Sequence, residues 1–187
     1  KRLFAVSLEA GRADLAARRF EPAVARLSAA RAAAPDPASE TEARLLLGQA
    51  HLLRKDDARA VAEFQSLIVE RGDILHRGAR VFDSARRAIA AILTATGREP
   101  YAVHEEAARG LLVKARRDRT AEAYRAVFLT HPNSRAAEEA LFEAAQAEGR
   151  LGRPDAEIAA WRHFAAEFPA SPRTPEALAS LVRALET

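Results

Sequence analysis

Any metal or proton chemistry in this sequence falls to five histidines and 26 acidic residues, because cysteine is absent. That absence removes disulfides, thiolate metal sites and cysteine nucleophiles. His51, His76, His104, His131 and His163 lie on separate stretches of helical pattern. His104-Glu105-Glu106 has the His-Glu start of a helix-borne zinc site, but the position one turn on, where a second ligand belongs, is Ala108. Carboxylate pairs occur on helix faces, yet none sits in an apolar setting that would tune it for acid catalysis. No glycine-rich phosphate loop is present, and Gly149, Gly152 and Arg153 read as a turn between helices. The expectation is a non-enzymatic chain with no cofactor and no metal.

The remaining polar side chains suit recognition. Arg77, Arg80 and Arg87 are spaced by three and seven and read as a basic stripe on a helix over 74–96, able to meet a carboxylate-rich peptide or glycan, or to pair with Glu99 or Glu105. Residues 71 to 125 carry 12 basic and 7 acidic groups, whereas residues 126 to 187 carry 6 and 9. A basic middle could orient an acidic partner. Nucleic acid would exploit only that middle, and the acidic last third argues against it. The longest uncharged run, 88–97, is about half of what a membrane-spanning helix needs.

The elements that must position these residues are helices. Roughly a quarter of the chain is alanine, the best helix former, against 8 glycines. Caps, prolines and the 3.6-residue period mark about ten helices: 1–17, 21–34, 39–54, 57–71, 74–96, 99–116, 119–131, 135–149, 154–168 and 173–185. Ser39 to Glu42 reads as a capping box, and Thr174 before Pro175 as an N-cap. Linkers are short, which makes neighbours antiparallel.

The same pattern also recurs at an offset of 37 residues. Gly11, Ala13, Leu15, Ala23 and Leu27 return as Gly48, Ala50, Leu52, Ala60 and Phe64. Tyr124, Val127, Pro132, Ser134 and Leu141 return as Trp161, Phe164, Pro169, Ser171 and Leu178. A fixed period of this length implies an all-α solenoid of stacked helix hairpins, each unable to bury its apolar face alone. Phe64 and Tyr124 are 60 residues apart, one period plus 23, so an extra helix interrupts the array. The expected organisation is two repeats over 1–72, an irregular helical insertion over 73–118, and two further repeats with a capping helix over 119–187. Both 37-residue pairs are expected to be regular.

Gly11, Ala13, Phe20, Ala23, Leu27, Ala30 and Pro35, then Leu47, Gly48, Ala50, Ala60 and Phe64, resemble the tetratricopeptide repeat. The period of 37 exceeds that family's usual 34, and Gly72 stands where it has proline. The endings FLTHPNSRAAEEAL and FAAEFPASPRTPEAL are similar to bacterial cell-envelope versions: outer-membrane assembly lipoproteins, the periplasmic partner of the Tol system and the superhelical region of soluble lytic transglycosylases.

The resemblance implies a scaffold for a protein or peptide partner, in the periplasm, with the cytoplasm as alternative. A second possibility is the accessory region of a lytic transglycosylase whose catalytic domain lies elsewhere, so that peptidoglycan or another domain of the same polypeptide is the partner; no Glu-Ser dipeptide of such a catalytic domain occurs here. Methionine is absent even at position 1, as expected of a processed form or of a piece of something longer; the sequence does not decide whether a signal peptide or lipid anchor was removed. In this architecture the first helix of each repeat lines the groove. Arg12, Gln49, Arg109 and Gln146 each follow the small packing residue of that helix and form the expected ladder of hydrogen-bonding side chains.

Overall fold

The structure, a computed structural model, describes residues 2–186. Among these, ten α-helices and one small hairpin occur: α1 (Arg2–Ala16), α2 (Phe20–Ala32), α3 (Pro37–Leu53), α4 (Asp57–Arg71), strands β1 (Leu75–His76) and β2 (Ala79–Arg80), α5 (Val81–Thr96), α6 (Ala102–Asp118), α7 (Ala121–Thr130), α8 (Arg135–Arg150), α9 (Pro154–Glu167) and α10 (Thr174–Leu185). A 3₁₀ turn, Glu99–Tyr101, precedes α6. The helices form two compact units, one ending at Ala102 and one beginning at Val103. The fold is all-α, and within each unit consecutive helices pack on one another, as the periodicity requires.

In the first unit α1 packs on α2, α2 on α3, α3 on α4 and α4 on α5. Leu8, Leu27 and Leu47 fill the space between α1, α2 and α3, and Ala23, Ala30, Ala43 and Ala50 let the backbones approach closely. Tyr101 is fully buried in this unit and donates its hydroxyl to Gln65 Oε1 at 2.7 Å, so the one polar atom of a large buried side chain is satisfied. In the second unit Ala108, Leu112 and Ala115 of α6 join Tyr124 and Val127 of α7 and Ala140 and Ala144 of α8 in one cluster. Phe142 of α8 meets Trp161 and Phe164 edge-on, with ring centroids 5.0 and 5.3 Å apart.

Each first helix hands over to the second through a residue with left-handed backbone: Arg18 (φ 57°), Lys55 (φ 62°), Arg119 (φ 56°) and Gly152 (φ 64°). At three of these turns the next amide closes back five residues, Arg19 on Asp14, Asp56 on His51 and Arg153 on Glu148, which satisfies carbonyls the helix end would otherwise orphan. These turns measure the repeat directly. From Arg18 to Lys55 is 37 residues, but from Arg119 to Gly152 is 33.

The second pair is therefore not regular in the way the sequence echo suggested. Measured at the helix ends, His131 to Phe168, the spacing is 37 again, because α7 has 10 residues and α9 has 14. α7 is one turn short at its start. The 37-residue echo follows its far end and misses this.

Three boundaries differ from expectation. The helix anticipated over 74–96 begins as the β1–β2 hairpin, and α5 starts only at Val81. His76 pairs with Ala79 across a two-residue turn in which Arg77 (φ 51°) and Gly78 (φ 81°) are both left-handed, the geometry that keeps hairpin strands in twist. α3 starts two residues before the supposed capping box, because Asp36 accepts from the Ser39 amide at 2.7 Å and Pro37 sits at the first helical position. Thr174 lies inside α10 and donates its hydroxyl to the Phe168 carbonyl at 2.6 Å, leaving Arg173 at the cap position.

Candidate partner-binding surfaces

Aligned on the left-handed turn residue, the ladder position lies six residues earlier. It holds Arg12, Gln49, Val113 and Gln146. Arg109 is thus not the equivalent of Arg12. It stands one turn earlier, level with Leu8, Leu45 and Phe142, because the 37-residue register is four residues out on α6. The α6 member of the ladder is Val113, an exposed apolar residue. Arg12 and Gln49 are exposed and Gln146 is half-buried.

Two turns before the ladder, thirteen residues ahead of the left-handed residue, three of the four first helices carry an acid: Glu42, Glu106 and Glu139. Sequence reading missed this row, although the 33-residue spacing of Glu106 and Glu139 was its signal. In the first unit Arg12 of α1 pairs with Glu42 of α3, and Arg77 reaches the same carboxylate at 3.3 Å. In the second, Arg116 of α6 pairs with Glu139 and Glu143 of α8 at 2.6 Å. Glu143 is held below the usual carboxylate range: burial opposes the shift, and the Arg116 and Tyr124 hydrogen bonds outweigh it. An arginine of one first helix thus docks on an acid of the next in both units. Such pairs, part-exposed, contribute about 0–1 kcal/mol each and break readily for a ligand. Arg109 pairs within its own helix with Glu106 at 2.6 Å.

The three arginines of the supposed helical stripe lie on different elements. Arg77 is in the hairpin turn, and Arg80 caps α5 while pairing with Asp73 at 2.9 Å. Only Arg87 is on α5, where its Nε donates to the Asp83 carbonyl at 3.2 Å. Arg80 and Arg87 nonetheless line one open groove between hairpin and helix, together with Arg86, which sequence reading did not single out. Arg77 belongs instead with Glu42 and α3.

The buried titratable groups serve packing. Four residues before the left-handed position stand Asp14, His51 and Glu148, all buried. Asp14 meets Arg19 at 2.6 Å and Arg26 at 2.8 Å, and Glu148 meets Arg125 at 2.6 Å. Asp14 clamps α2 to α1 within one repeat, whereas Glu148 clamps α8 to α7 of the preceding repeat. Burial lowers the pKa of His51, His104 and His131, and the last two rings stand 5.9 Å apart. Among the described residues no three His, Asp or Glu side chains are grouped to hold a metal ion. No helix among them is long and apolar enough to cross a membrane.

A family model described as tetratricopeptide repeat matches residues 42–71, which is most of α3 and all of α4. No curated protein shows significant similarity to the chain. The matched pair is the second member of the regular 37-residue repeat and carries both Gln49 and Glu42. Consecutive helices pack in sequence order within each unit, so the chain is an all-α helical repeat in which one helix pair, α3–α4, is similar to the tetratricopeptide repeat.

Proposed function

We propose that the chain is a non-catalytic scaffold that docks a protein partner on the first-helix face of its first unit. Tetratricopeptide repeats are in general scaffolds for protein–protein interaction, and the repeat matched here is the one whose first helix presents that face. One observation carries the reading. Arg12, Gln49 and Leu52 are exposed on α1 and α3 although both helices are fully engaged in packing on their other sides. A solenoid keeps such a row in register, and the part-exposed Arg12–Glu42 pair is weak enough to open for a ligand.

The first-helix face of the second unit offers less. Val113 replaces a polar group there, and Phe142 is buried. We place the protein in the bacterial cell envelope on the similarity of its helix endings to repeats found there. Fractionation of the source cells with the chain tagged tests this, and a cytosolic pool alone contradicts it.

The docking face is tested by retaining partners on the immobilised chain and comparing Arg12→Glu and Gln49→Glu with the parent. Loss of the same protein in both variants, with an unchanged thermal transition, is the expected result. Equal retention in both moves the site away from α1 and α3.

A further inference from the structure

The groove between the β1–β2 hairpin and α5 has no part in packing either unit. It encloses about 610 Å³ of open space. On α5 the residues facing it are Asp83, Arg86, Arg87 and Ala90, spaced by three, one and three, which is one side of a helix. The opposite side of the same helix, Phe82, Ala85, Ile89 and Ile92, is buried in the unit. The hairpin supplies the other wall with Leu75, Ala79 and Arg80, and it can stand over the helix because Arg77 and Gly78 turn the chain in two residues.

Charge and polarity define the occupant. Arg80, Arg86 and Arg87 line the groove beside one acid, Asp83, and Asp73 pairs with Arg80 from outside that lining, so basic groups outnumber acidic ones there. Arg80 pairs with Asp73, whose own side chain is fully exposed, and a contact of that kind is exchanged for a ligand at little cost. Arg87 is held through its Nε, which steadies the planar fork that binds a carboxylate through two parallel hydrogen bonds. Beside these donors Leu75 is 69% exposed, and Ala79 and Ala90 continue the apolar strip. A bare phosphate or a nucleic-acid backbone has nothing to lay on such a strip.

We infer that this groove is an anchor for an extended, acidic segment of a protein partner in which Asp or Glu alternates with an apolar side chain. Carboxylates seat on Arg80 and Arg87 while the apolar side chain covers Leu75. The inference rests on the scaffold reading but concerns a different surface from the α1–α3 face. The two can fail separately.

The test uses the full chain and a fluorescein-labelled, end-capped decapeptide of alternating Glu and Leu, read by fluorescence polarisation. A Gln–Leu peptide and a ten-residue oligothymidylate serve as comparisons. Binding of the Glu peptide is expected to weaken by about tenfold in Arg87→Glu and measurably in Arg80→Gln, to fall as salt rises, and to be unaffected by Arg12→Glu. Because Arg80 also caps α5, the thermal transition of each variant is recorded alongside. Equal affinity for the Gln peptide, tighter binding of the oligothymidylate, no binding of the Glu peptide to the parent chain, or indifference to both groove variants overturns the inference. If instead Arg12→Glu removes binding and Arg87→Glu does not, the acidic peptide belongs to the α1–α3 face, and the scaffold reading survives while the groove assignment falls.

Discussion

Gly48 of α3 lies directly under the ring of Phe64 of α4, so close that a β-carbon built on it would stand 2.7 Å from Cε1. Gly11 has the same relation to Leu27, one repeat earlier. The large residue of the second helix is thus seated on the bare backbone of the first. Gly48→Ala should force the ring or the helices apart and cost about 1–3 kcal/mol of stability by the usual penalty of overpacking. Gly110, in the interior of α6, has nothing within 4 Å of a built β-carbon. Gly110→Ala should stabilise by about 0.5–1 kcal/mol, since it only removes backbone freedom from the unfolded chain. Chemical denaturation of both variants measures the difference, and two shifts of the same sign would refute this account of the packing.

The left-handed turn residues make a second opposed pair. Lys55 bears the steric cost of a β-carbon at φ 62°, whereas Gly152 occupies the same position without it. Lys55→Gly should raise stability by about 0.5–1 kcal/mol and Gly152→Ala should lower it by about 1 kcal/mol. Thermal unfolding of the two variants checks this, and a destabilised Lys55→Gly would mean that the turn is not held as described.

How much of this was legible follows from the same turns. In the first unit the left-handed residues are 37 apart, so the spacing of Gly11 and Gly48, or of Leu27 and Phe64, reported the structure faithfully. In the second unit the loss of one turn at the start of α7 leaves Tyr124 and Trp161 aligned from the helix ends and misaligned from the turns. That is why the 37-residue register puts Arg109 on the ladder and passes over Val113. The β1–β2 hairpin was hidden for a different reason: two-residue strands are too short to alternate, and the basic residues around them also suit a helix face. Its one signal was Gly78 after Arg77, a pair that accepts the left-handed turn.

Acidification should weaken the fold from the side of the histidines. His51, His104 and His131 are held below the ordinary imidazole value, chiefly by burial. As pH falls, the unfolded chain takes up its protons first, near pH ~6.5, and the folded chain only later. Stability present above that value is therefore lost as pH drops through it toward the lowered folded-state values. His131→Gln should flatten the decline. Denaturation midpoints recorded between pH 7.5 and 5 test this, and a midpoint that rises on acidification in that window contradicts it.

Asp14 is buried while its partners Arg19 and Arg26 are about half exposed, which makes the clamp asymmetric. Removing the acid frees two arginines that water can solvate. Removing both arginines strands a carboxylate in the core, the costlier loss, of order 3–5 kcal/mol. Arg19→Ala combined with Arg26→Ala should therefore destabilise more than Asp14→Ala. The reverse order in urea denaturation would show that the side chain of Asp14 matters for its volume and not its charge.

The central claim is that the first-helix face of the first unit is the docking surface of a scaffold. Amide hydrogen exchange on the chain alone and with a retained partner bound reads that face directly. Slowed exchange concentrated in α1 and α3, around Arg12 and Gln49, is the predicted result. Protection confined to α7, α9 and α10, with α1 and α3 unchanged, would contradict it.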